Sequence, residues 1–590
     1  MDRMKTTTLF LALTLSYMGW SQERTPVSSK EELLREVIVE KWRNSSQEYT
    51  GNSSLSHSAK SSGFDQSLSG STATGLEEAE TYIAVNPNDS NHIVASYMSF
   101  DANQELIFPI YYSEDGGNVW KKSNFSSDSL VDVINPGAII GGGGDPVFEF
   151  DPNGTVYFSW IYLHLNPSFD TAFFDLMWAY STDMGRNWDW SSGDDKFIGQ
   201  GSIDLITGGI EDYKDGIFDR QWMAVDRSGG PFDGNLYTSC VFFPNNITTL
   251  AGDGIVVRVK PSGASAFNTA NSVVTTNQSQ FANVQVSSMG VVHVSYADLI
   301  TESIMHSKSI DGGQTFSTPT IIDQGTNLFG GLNIQHGREN AATNMVIDGN
   351  DNLHVVWTNF SAGGFGSGFS SIYARSGDGG SSWTTTQLDS IFPDHVFMPT
   401  VSAHGTRVAI SGHSITDNDT ASYWIALSPD AGINFNATQQ VSSTSHQFTD
   451  FSTQAWFGDY DKSSRTHCNV FSIFSDGRDG TVRTYVAKYD QCASIGVPEI
   501  TTLNGNLSIG SPYPNPSFNR ISIEVSGTEG DRLTWAMVSA SGIEYPLGTY
   551  DILVGKQVLS LEWSDLPKGL YFLKGEGLHG DRFTRKIRVH

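Results

Sequence analysis

Acidic and basic side chains recur just before or at the start of apolar, strand-like runs in this 590-residue chain. A carboxylate so placed can act as a general acid or base, and a charged side chain can hold a polar ligand group. Asp145 and Asp219 are therefore candidate catalytic residues, and Arg220, Arg338 and Glu339 are candidate binding residues for a substrate or ligand. In a plainer interpretation, each arginine pairs with the carboxylate that precedes or follows it.

A further group lies in Gly458-Asp459-Tyr460 and in Ser475-Asp476-Gly477-Arg478. Asp459 is the third catalytic candidate, and Tyr460 and Arg478 are the remaining binding candidates. Asp459 and Asp476 could supply two carboxylates to one acid–base reaction. The alternative is that Asp459 caps an inner strand, and that Asp476 belongs to a hairpin turn and pairs with Arg478.

One pattern, Ser-x-Asp-x-Gly-x-x-aromatic, occurs five times between strand-like runs. Short Ser and Asp side chains can accept or donate hydrogen bonds within a tight hairpin, Gly supplies a positive φ, and the aromatic residue can bury itself beside the next sheet. The pattern therefore predicts structural turns rather than catalytic groups. Its aspartates are Asp115, Asp183, Asp311, Asp378 and Asp430.

The elements that must position all of these residues are short strands. From Glu80 to about residue 495 an apolar strand, a second strand and a strand leading into the turn pattern recur about every 60 residues. Seven such units emerge; Lys260 to Phe267 is a degenerate copy of the turn pattern in the third unit, and the seventh unit has none. This period suits four-stranded blades of a β-propeller, whose closed ring protects the strand edges.

The turn pattern resembles the Asp box, or bacterial neuraminidase repeat, of sialidase-like β-propellers, over roughly residues 80–490. In that family the boxes lie on outer hairpins, and ligands bind at the mouth of the central channel, near the starts of the innermost strands. Sialidase propellers have six blades, so seven blades are favoured here and six remain possible. The resemblance concerns the fold rather than the reaction.

A sialidase also needs an arginine cluster for the sugar carboxylate, a Tyr nucleophile assisted by Glu, and an Asp acid/base. The family's Arg-Ile-Pro motif is absent here, and no arginine lies between Arg43 and Arg186. The resemblance thus favours a glycan- or protein-binding propeller. The alternative is an exo-acting glycoside hydrolase of the exo-α-sialidase type on surface glycans.

The last segment, 508–590, is predicted to be a small β-sandwich. Its Pro-x-Pro-Asn-Pro start at Pro512, its Leu566-Pro-Lys-Gly-Leu-Tyr571 stretch and its basic last strand resemble the type A sorting domain of the type IX secretion system. This resemblance implies the secretion machinery as a partner. An ordinary accessory β-sandwich is the alternative.

The other boundaries follow from composition. Residues 1–22 read as a secretory signal peptide, because Arg3 and Lys5 precede a short apolar run. We expect a short helix and a Ser/Gly-rich linker over 23–79, the propeller over 80–495 and a linker over 496–507. The protein is thus expected to cross the periplasm and outer membrane, to be secreted or displayed at the cell surface, and to lack a transmembrane segment.

Charge, cysteine and metal patterns narrow the function classes. A net charge of −29 disfavours nucleic acid as a partner. Cys468 and Cys492 could pair, or all three cysteines could be isolated thiols. No cofactor and no transition metal are expected, and Asp-rich turns such as Asp348-Gly-Asn-Asp351 leave Ca²⁺ possible.

Overall fold

The computed structural model describes residues 65–70, 78–100, 106–125, 139–166, 168, 170–190, 193–204, 215–243, 254–325, 343–360, 369–416, 420–435, 437–447, 458–491, 501–502, 507–527, 532–539, 544–564, 566–577 and 581–589. The predicted signal peptide, helix and most of the 23–79 linker lie outside these residues. The chain divides into two compact units, and the boundary between them in the sequence falls between Tyr489 and Asp490.

The first unit consists of largely antiparallel sheets, and within most blades neighbouring strands follow one another in the chain. Strand β1 (Asp65–Ser67) belongs to the last of these sheets. Blade 1 contains β2 (Glu78–Val85), β3 (Ile93–Phe100), β4 (Leu106–Ile107), β5 (Ile110–Ser113) and β6 (Lys121–Lys122), and blade 2 contains β7 (Ile139–Phe150), β8 (Val156–Leu165), β9 (Thr171–Ser181), a 3-10 helix (Gly193–Lys196) and β10 (Phe197–Asp204). Blade 3 contains β11 (Ile217–Val225), β12 (Leu236–Phe243), β13 (Ile255–Lys260) and β14 (Ser272–Thr275). Blade 4 contains β15 (Ser279–Val286), β16 (Val292–Asp298), β17 (Ser303–Ser309) and β18 (Thr320–Gln324).

Three further blades complete this unit. Blade 5 contains β19 (Asn344–Ile347), β20 (Leu353–Phe360), β21 (Phe369–Ser376) and β22 (Thr384–Gln387). Blade 6 contains a 3-10 helix (Leu388–Ser390), β23 (His395–His404), β24 (Arg407–Ile415), β25 (Thr420–Ser428), β26 (Ala437–Gln440) and β27 (His446–Gln447). Blade 7 contains β28 (Lys462–Arg465), β29 (Asn469–Asp476) and β30 (Arg483–Asp490).

The first strand of each blade contacts the first strand of the next, and β28 contacts β2. The sheets therefore form a closed ring around a central channel. Across the described residues there are seven blades, so the favoured prediction of an all-β chain with a seven-bladed propeller is confirmed. A single parallel bridge, Leu106 to Gly142, joins the sheets of blades 1 and 2.

Blade 7 is closed by β1, which pairs with β30. This is a correction to the predicted linker, because Asp65–Ser67 falls within 23–79 and yet forms the outermost strand of the last blade. Arg478 bonds this strand to the blade through Asp65, at 2.7 Å, and through Asp476, at 2.6 Å. Since the fourth strand comes from another part of the chain, blade 7 has no outer hairpin that could carry the turn pattern.

The five turn patterns share one hydrogen-bond arrangement. In blade 5, Ser376 Oγ donates to Asp378 Oδ1 (2.8 Å) and accepts from the amide of Gly380 (2.9 Å). Asp378 also accepts from the amide of Ser382 at 2.9 Å. The same three bonds recur in the other four turns, with 2.7–2.9 Å for Ser to Asp and 2.9–3.0 Å for the two amides.

The glycine at the fifth position of each turn pattern packs on the preceding blade. Gly432 has φ 73°, and a Cβ at this position would lie 2.9 Å from the His354 ring of blade 5 and closer still to the Tyr373 hydroxyl. A Cβ at Gly313 would lie 2.9 Å from the Tyr237 ring of blade 3. Glycine is thus required for two reasons, a left-handed backbone and a close approach between blades.

Aromatic side chains fill the space between neighbouring blades. Between blades 1 and 2, the Phe158 ring stacks on Trp160 and Phe148 with centroids 4.6 and 4.8 Å apart, and Phe125 meets Trp160 edge to face at 5.3 Å. Each buried aromatic pair of this kind contributes about 1 kcal/mol beyond the area it buries. The core of the ring is therefore a set of layers between blades.

The second unit contains two sheets. One holds β31 (Thr501–Thr502), β34 (Arg532–Ser539), β35 (Glu544–Asp551), β37 (Gly569–Gly577) and β38 (Arg582–Val589), and the other holds β32 (Ser508–Ile509), β33 (Arg520–Gly527) and β36 (Gly555–Glu562). Alternate residues of both sheets, including Ile523 of β33 and Trp535 of β34, form one apolar core. This is the predicted β-sandwich, extended by β31 into the stretch that the sequence predicted to be a linker.

Candidate functional site

The inner strands of the propeller share a backbone distortion near their starts. In five blades one residue adopts a left-handed conformation where the pairing with the second strand shifts register. Such a conformation costs a non-glycine residue free energy and is typical of functional sites. The residues are Glu80 (φ 51°), Asp145 (52°), Arg220 (50°), Phe281 (58°) and Met398 (49°). We call this set the inner ring.

Blade 7 continues the inner ring with a glycine. Gly458 has φ 82°, and a Cβ there would lie 2.5 Å from Cγ of Glu80 in blade 1. Glu80 therefore occupies the space that a side chain at position 458 would need. The corresponding residue of blade 5 lies outside the described residues.

Inner-ring residues and their neighbours from blades 3 to 7 line a pocket with about 550 Å³ of empty space, part of it open to solvent. Its lining combines aromatic faces, from Trp222 and Phe281, with the amides of Gln221 and Asn344. Asp459 and Asp461 add carboxylates, and Tyr460 adds a phenol. Pockets of this mixed kind bind small polar molecules.

Arg220 is already engaged within this pocket. Its Nη2 lies 2.5 Å from Oδ2 of Asp459, and its guanidinium lies 4.5 Å from the Phe281 ring centroid. Both partners of the ion pair are almost fully buried, with 9% and 4% of their side chains exposed. The pair is thus a desolvated, charge-neutral unit that stacks on an aromatic face.

Three aromatic side chains from blades 1, 3 and 7 meet across the channel. The Trp222 ring lies edge to face with Tyr82 at 5.2 Å and with Tyr460 at 5.6 Å. Turning the side-chain amide of Asn283 lets its oxygen accept from Nε1 of Trp222 at 2.9 Å. Trp222 and Tyr460 of this aromatic layer also line the pocket.

The Tyr460 hydroxyl is buried in this layer and makes no hydrogen bond within the described part of the chain. Burial raises the pKa of Tyr460 well above its ordinary value, and the charges of Asp145, Glu80 and Asp459 add to the effect. A phenol surrounded by carboxylates stays protonated at neutral pH. It can therefore donate a hydrogen bond to a ligand oxygen.

Asp461 sits between two neighbouring groups. Its Oδ2 lies 2.8 Å from Nε2 of His413, and its Oδ1 accepts from Oγ1 of Thr81 at 3.0 Å. These bonds satisfy its carboxylate, so Asp461 supports the pocket wall.

Lys462 lies two residues beyond Tyr460, deeper along the inner strand. Its Nζ lies 4.9 Å from the Trp222 ring centroid and 5.9 Å from that of Tyr82. Burial lowers its pKa to about 8, and the charge of Glu149 partly offsets this effect. The lysine thus interacts with the aromatic layer through its cation.

The structure places three of the predicted site residues in the pocket lining. Arg220, Asp459 and Tyr460 line the pocket, and Asp145 occupies the inner-ring position of blade 2. Asp219 is not among the lining residues; its Oδ1 accepts from the backbone amide of Arg220 at 2.9 Å.

The remaining candidates fall elsewhere. Arg478 does not line this pocket, because its guanidinium bonds Asp65 and Asp476, and its ligand-binding role stays a prediction. Arg338 and Glu339 lie outside the described residues. The sequence analysis did not identify three lining residues, Gln221, Trp222 and Phe281. An alignment of the strand starts could have indicated Trp222, because Tyr82, Trp222 and Tyr460 each lie two residues after the inner-ring position of their blade.

The described residues also bear on metal binding, membrane spanning and the state of the cysteines. No group of three or more His, Cys, Asp or Glu side chains in the described residues is arranged to hold a metal ion. Within the same residues, no helix is both long and apolar enough to cross a membrane. Cys240 is a buried free thiol and Cys468 is disulfide-bonded, whereas Cys492 lies outside the described residues.

Comparisons with known proteins address the fold. No protein-family model matches the chain. No curated protein matches its sequence. Among solved structures, an α-L-arabinofuranosidase from Fusarium graminearum with an iminosugar inhibitor is similar, with 10% identity, coverage of 71% of this chain and 96% of that chain, and a TM-score of 0.37.

Two sialidase structures are similar to the same degree. A Hadza microbial sialidase shows 12% identity over 69% of this chain and 75% of that chain, with a TM-score of 0.35. A leech intramolecular trans-sialidase shows 14% identity over 78% and 72%, with a TM-score of 0.34. These distant similarities concern the propeller fold, and no functional conclusion follows from them.

Proposed function

We propose that the propeller binds carbohydrate in the pocket formed by its inner ring. The observation that carries this proposal is the lining itself, in which the faces of Trp222 and Phe281 stand beside the amides of Gln221 and Asn344. A sugar ring presents apolar C–H faces and a rim of hydroxyl donors and acceptors, and it needs both kinds of partner. The pocket offers both within one small volume.

The state of Arg220 argues against a carboxylated sugar as the ligand. A sugar carboxylate is held by unneutralised guanidinium groups, because a bidentate ion pair must repay the desolvation of both charges. Arg220 already pairs with Asp459, and no second arginine is among the described lining residues. An uncharged or positively charged sugar suits the pocket better than a sialic acid.

A glycan array probed with the full chain tests this proposal. We expect a discrete set of bound glycans, and a loss of at least about tenfold in affinity for Gln221→Ala, since one well-placed hydrogen bond contributes about that much. Gln314→Ala, in an exposed outer turn, is the matched control and should bind normally. Absence of any bound glycan, or full binding by Gln221→Ala, would contradict the proposal.

Glycoside hydrolysis is the second candidate function. It is favoured by the Tyr460 hydroxyl, which makes no hydrogen bond to any described residue and lies near the charges of Asp145, Glu80 and Asp459. Paired carboxylates of this kind can act as acid and base on a glycosidic bond. Fluorogenic glycosides, sialosides included, should then release fluorophore with the native chain and not with Asp459→Ala. Equal release from both would eliminate hydrolysis by this site.

For the C-terminal unit, a role in export is proposed. In support of it, residues 490–590 form a compact unit with its own apolar core, as a removable sorting domain requires. The secreted or cell-surface location and the type IX machinery as partner are part of this proposal. Deleting 508–590 should retain the propeller in the periplasm of the native host. Normal release of the truncated chain into the medium would contradict this role.

A further inference from the structure

The blades that line the pocket differ in the chemistry they supply. Blades 3 and 7 provide its charged side chains, which are those of Arg220, Asp459 and Asp461. The described lining residues of blades 4 and 6 are all apolar, and they are Phe281, Ala282, Met398 and Pro399. A ligand in this pocket therefore meets charged groups from two blades and hydrocarbon from two others.

The charged side chains of the lining are paired within the protein. Nη2 of Arg220 lies 2.5 Å from Oδ2 of Asp459. Asp461 lies 2.8 Å from Nε2 of His413 and accepts from Oγ1 of Thr81 at 3.0 Å. A charged ligand group would have to compete with these partners in a desolvated site. The pocket therefore suits an uncharged ligand.

The uncharged polar side chains of blade 5 are committed in the same way. Thr343 Oγ1 donates to the backbone oxygen of Phe281 at 2.6 Å, and Asn344 Oδ1 accepts from the backbone amide of Val401 at 3.0 Å. Oγ1 of Thr358 lies 3.0 Å from a serine hydroxyl of the same blade. Few polar atoms of these side chains are left for a ligand. A ligand that is polar on every side would lose more hydrogen bonds with water than it gains here.

The two apolar members of the inner ring are held in place at a conformational cost. Phe281 has φ 58° and Met398 has φ 49°, and both line the pocket. A left-handed backbone is unusual for such bulky residues, and strain of this kind is typical of functional sites. The strained positions thus present hydrocarbon to the pocket, which indicates that apolar contact is part of recognition.

We infer that the pocket recognises a 6-deoxyhexose, and that the methyl group of this sugar packs on the apolar lining residues of blades 4 and 6. This inference rests on the proposed carbohydrate-binding function and names its ligand class. A 6-deoxyhexose is uncharged, keeps hydroxyls around its ring and carries a methyl group where a common hexose carries a hydroxymethyl group. The additional hydroxyl of the hexose would be buried against hydrocarbon without a partner, so the hexose binds more weakly.

Calorimetry on the full chain tests the inference with two matched pairs of sugars. One pair is the methyl glycosides of L-fucose and L-galactose, and the other is those of L-rhamnose and L-mannose. The members of each pair differ only by the hydroxyl on carbon 6. In each pair that binds, we expect the deoxy sugar to bind at least about tenfold more tightly.

Three variants locate the preference within the molecule. Met398→Gln keeps the length of the side chain and offers a polar partner to the 6-hydroxyl, so the preference should fall below about threefold. Met398→Leu stays apolar and should keep the preference. Met289→Gln is the matched control, because it makes the same exchange at a methionine that is 80% exposed, and it should also keep the preference.

The outcomes separate the inference from the proposed function. If the hexosides bind as tightly as their deoxy partners, if Met398→Gln keeps the full preference, or if neither pair binds while other glycans do, the inference is wrong and carbohydrate binding stands. The comparison of sugars on the native chain decides the matter even where a variant does not fold. If no sugar of any kind binds, on the array or in solution, the proposed function fails and the inference fails with it.

Discussion

The outer turns and the inner ring of the propeller use the same backbone device for opposite purposes. Both place a residue with positive φ at an equivalent position in five of the blades. In the outer turns the side chains repeat as well, and Asp378 or Asp430 is saturated with hydrogen bonds inside its own turn. In the inner ring only the backbone repeats, and the side chains differ from blade to blade.

This difference separates stability from recognition. An outer aspartate spends its acceptors on its own hairpin, so it gains nothing from a ligand. An inner residue such as Asp145 instead combines a strained, left-handed backbone with a largely buried side chain. Residues that bind ligands commonly carry such costs, which the rest of the fold must offset.

The largest expected effect concerns an outer glycine. Gly432→Ala should destabilise the propeller by about 3 kcal/mol or more, because the new Cβ would collide with His354 and Tyr373 in addition to the strain of a positive φ. Gly263→Ala is the matched control: it has φ 75° and nothing within 4 Å of its Cβ, so it should cost only about 1 kcal/mol. Urea denaturation measures both, and equal losses would show that contact between blades is unimportant.

Removing the inner ion pair should have the next largest effect. Asp459→Ala takes away the carboxylate 2.5 Å from the buried Arg220 guanidinium and should cost about 3 kcal/mol. Asp459→Asn, which keeps a hydrogen-bond acceptor, should cost less. Thermal unfolding of both variants gives the comparison, and unchanged melting temperatures would mean that the pair contributes no net stability.

A smaller effect is expected at low pH. Burial tends to raise the pKa of Asp311, but hydrogen bonds from Thr315, Ser309 and Gln314 outweigh it and lower the pKa to about 2. A lowered folded pKa means that stability is present above about pH 4 and is lost as the pH falls toward 2. Asp311→Asn should therefore cost about 1 kcal/mol at neutral pH and flatten part of the acid-induced loss.

Asp323 of the same blade provides the control for that measurement. Burial raises its pKa, so its charged form opposes folding and stability falls as the pH rises through its titration. Asp323→Asn should change the pH dependence in the opposite direction. Denaturation midpoints measured between pH 2 and 7 test both expectations. Identical pH profiles of stability for Asp311→Asn and Asp323→Asn would contradict them.

The smallest effect has the opposite sign. Asp145→Asn should raise the melting temperature by roughly 1–3 °C, because asparagine suits the left-handed backbone at this position (φ 52°) better than aspartate does. Asp219→Asn, which replaces the charged acceptor of the Arg220 amide by a neutral one, should not stabilise. A less stable Asp145→Asn protein would show that the carboxylate has a structural role.

The fold was predictable because the outer turns repeat their side chains. Five matches of Ser, Asp and Gly with a fixed period define hairpins, and the period defines blades. The inner ring was only partly predictable, because Glu80, Asp145, Arg220, Phe281 and Met398 share a backbone conformation and no side-chain chemistry. Charge at the strand starts indicated Asp145 and Arg220, whereas Phe281 and Gln221 look like ordinary strand residues.

Contacts between distant parts of the chain were beyond prediction. Arg478 and Asp476 read equally well as a turn or as a site, since Asp65, their third partner, is more than 400 positions away in the sequence. The same holds for β1, whose three residues carry no pattern that distinguishes them from a linker.

The position of β1 has a consequence for how the ring can be engineered. The last blade is assembled from both ends of the propeller's sequence, so its join is a natural seam held by hydrogen bonds rather than by a peptide turn. Linking Tyr489 to Asp65 and reopening the chain at an outer turn would move the seam to another blade. The inner ring, and with it the pocket, would keep its order around the axis.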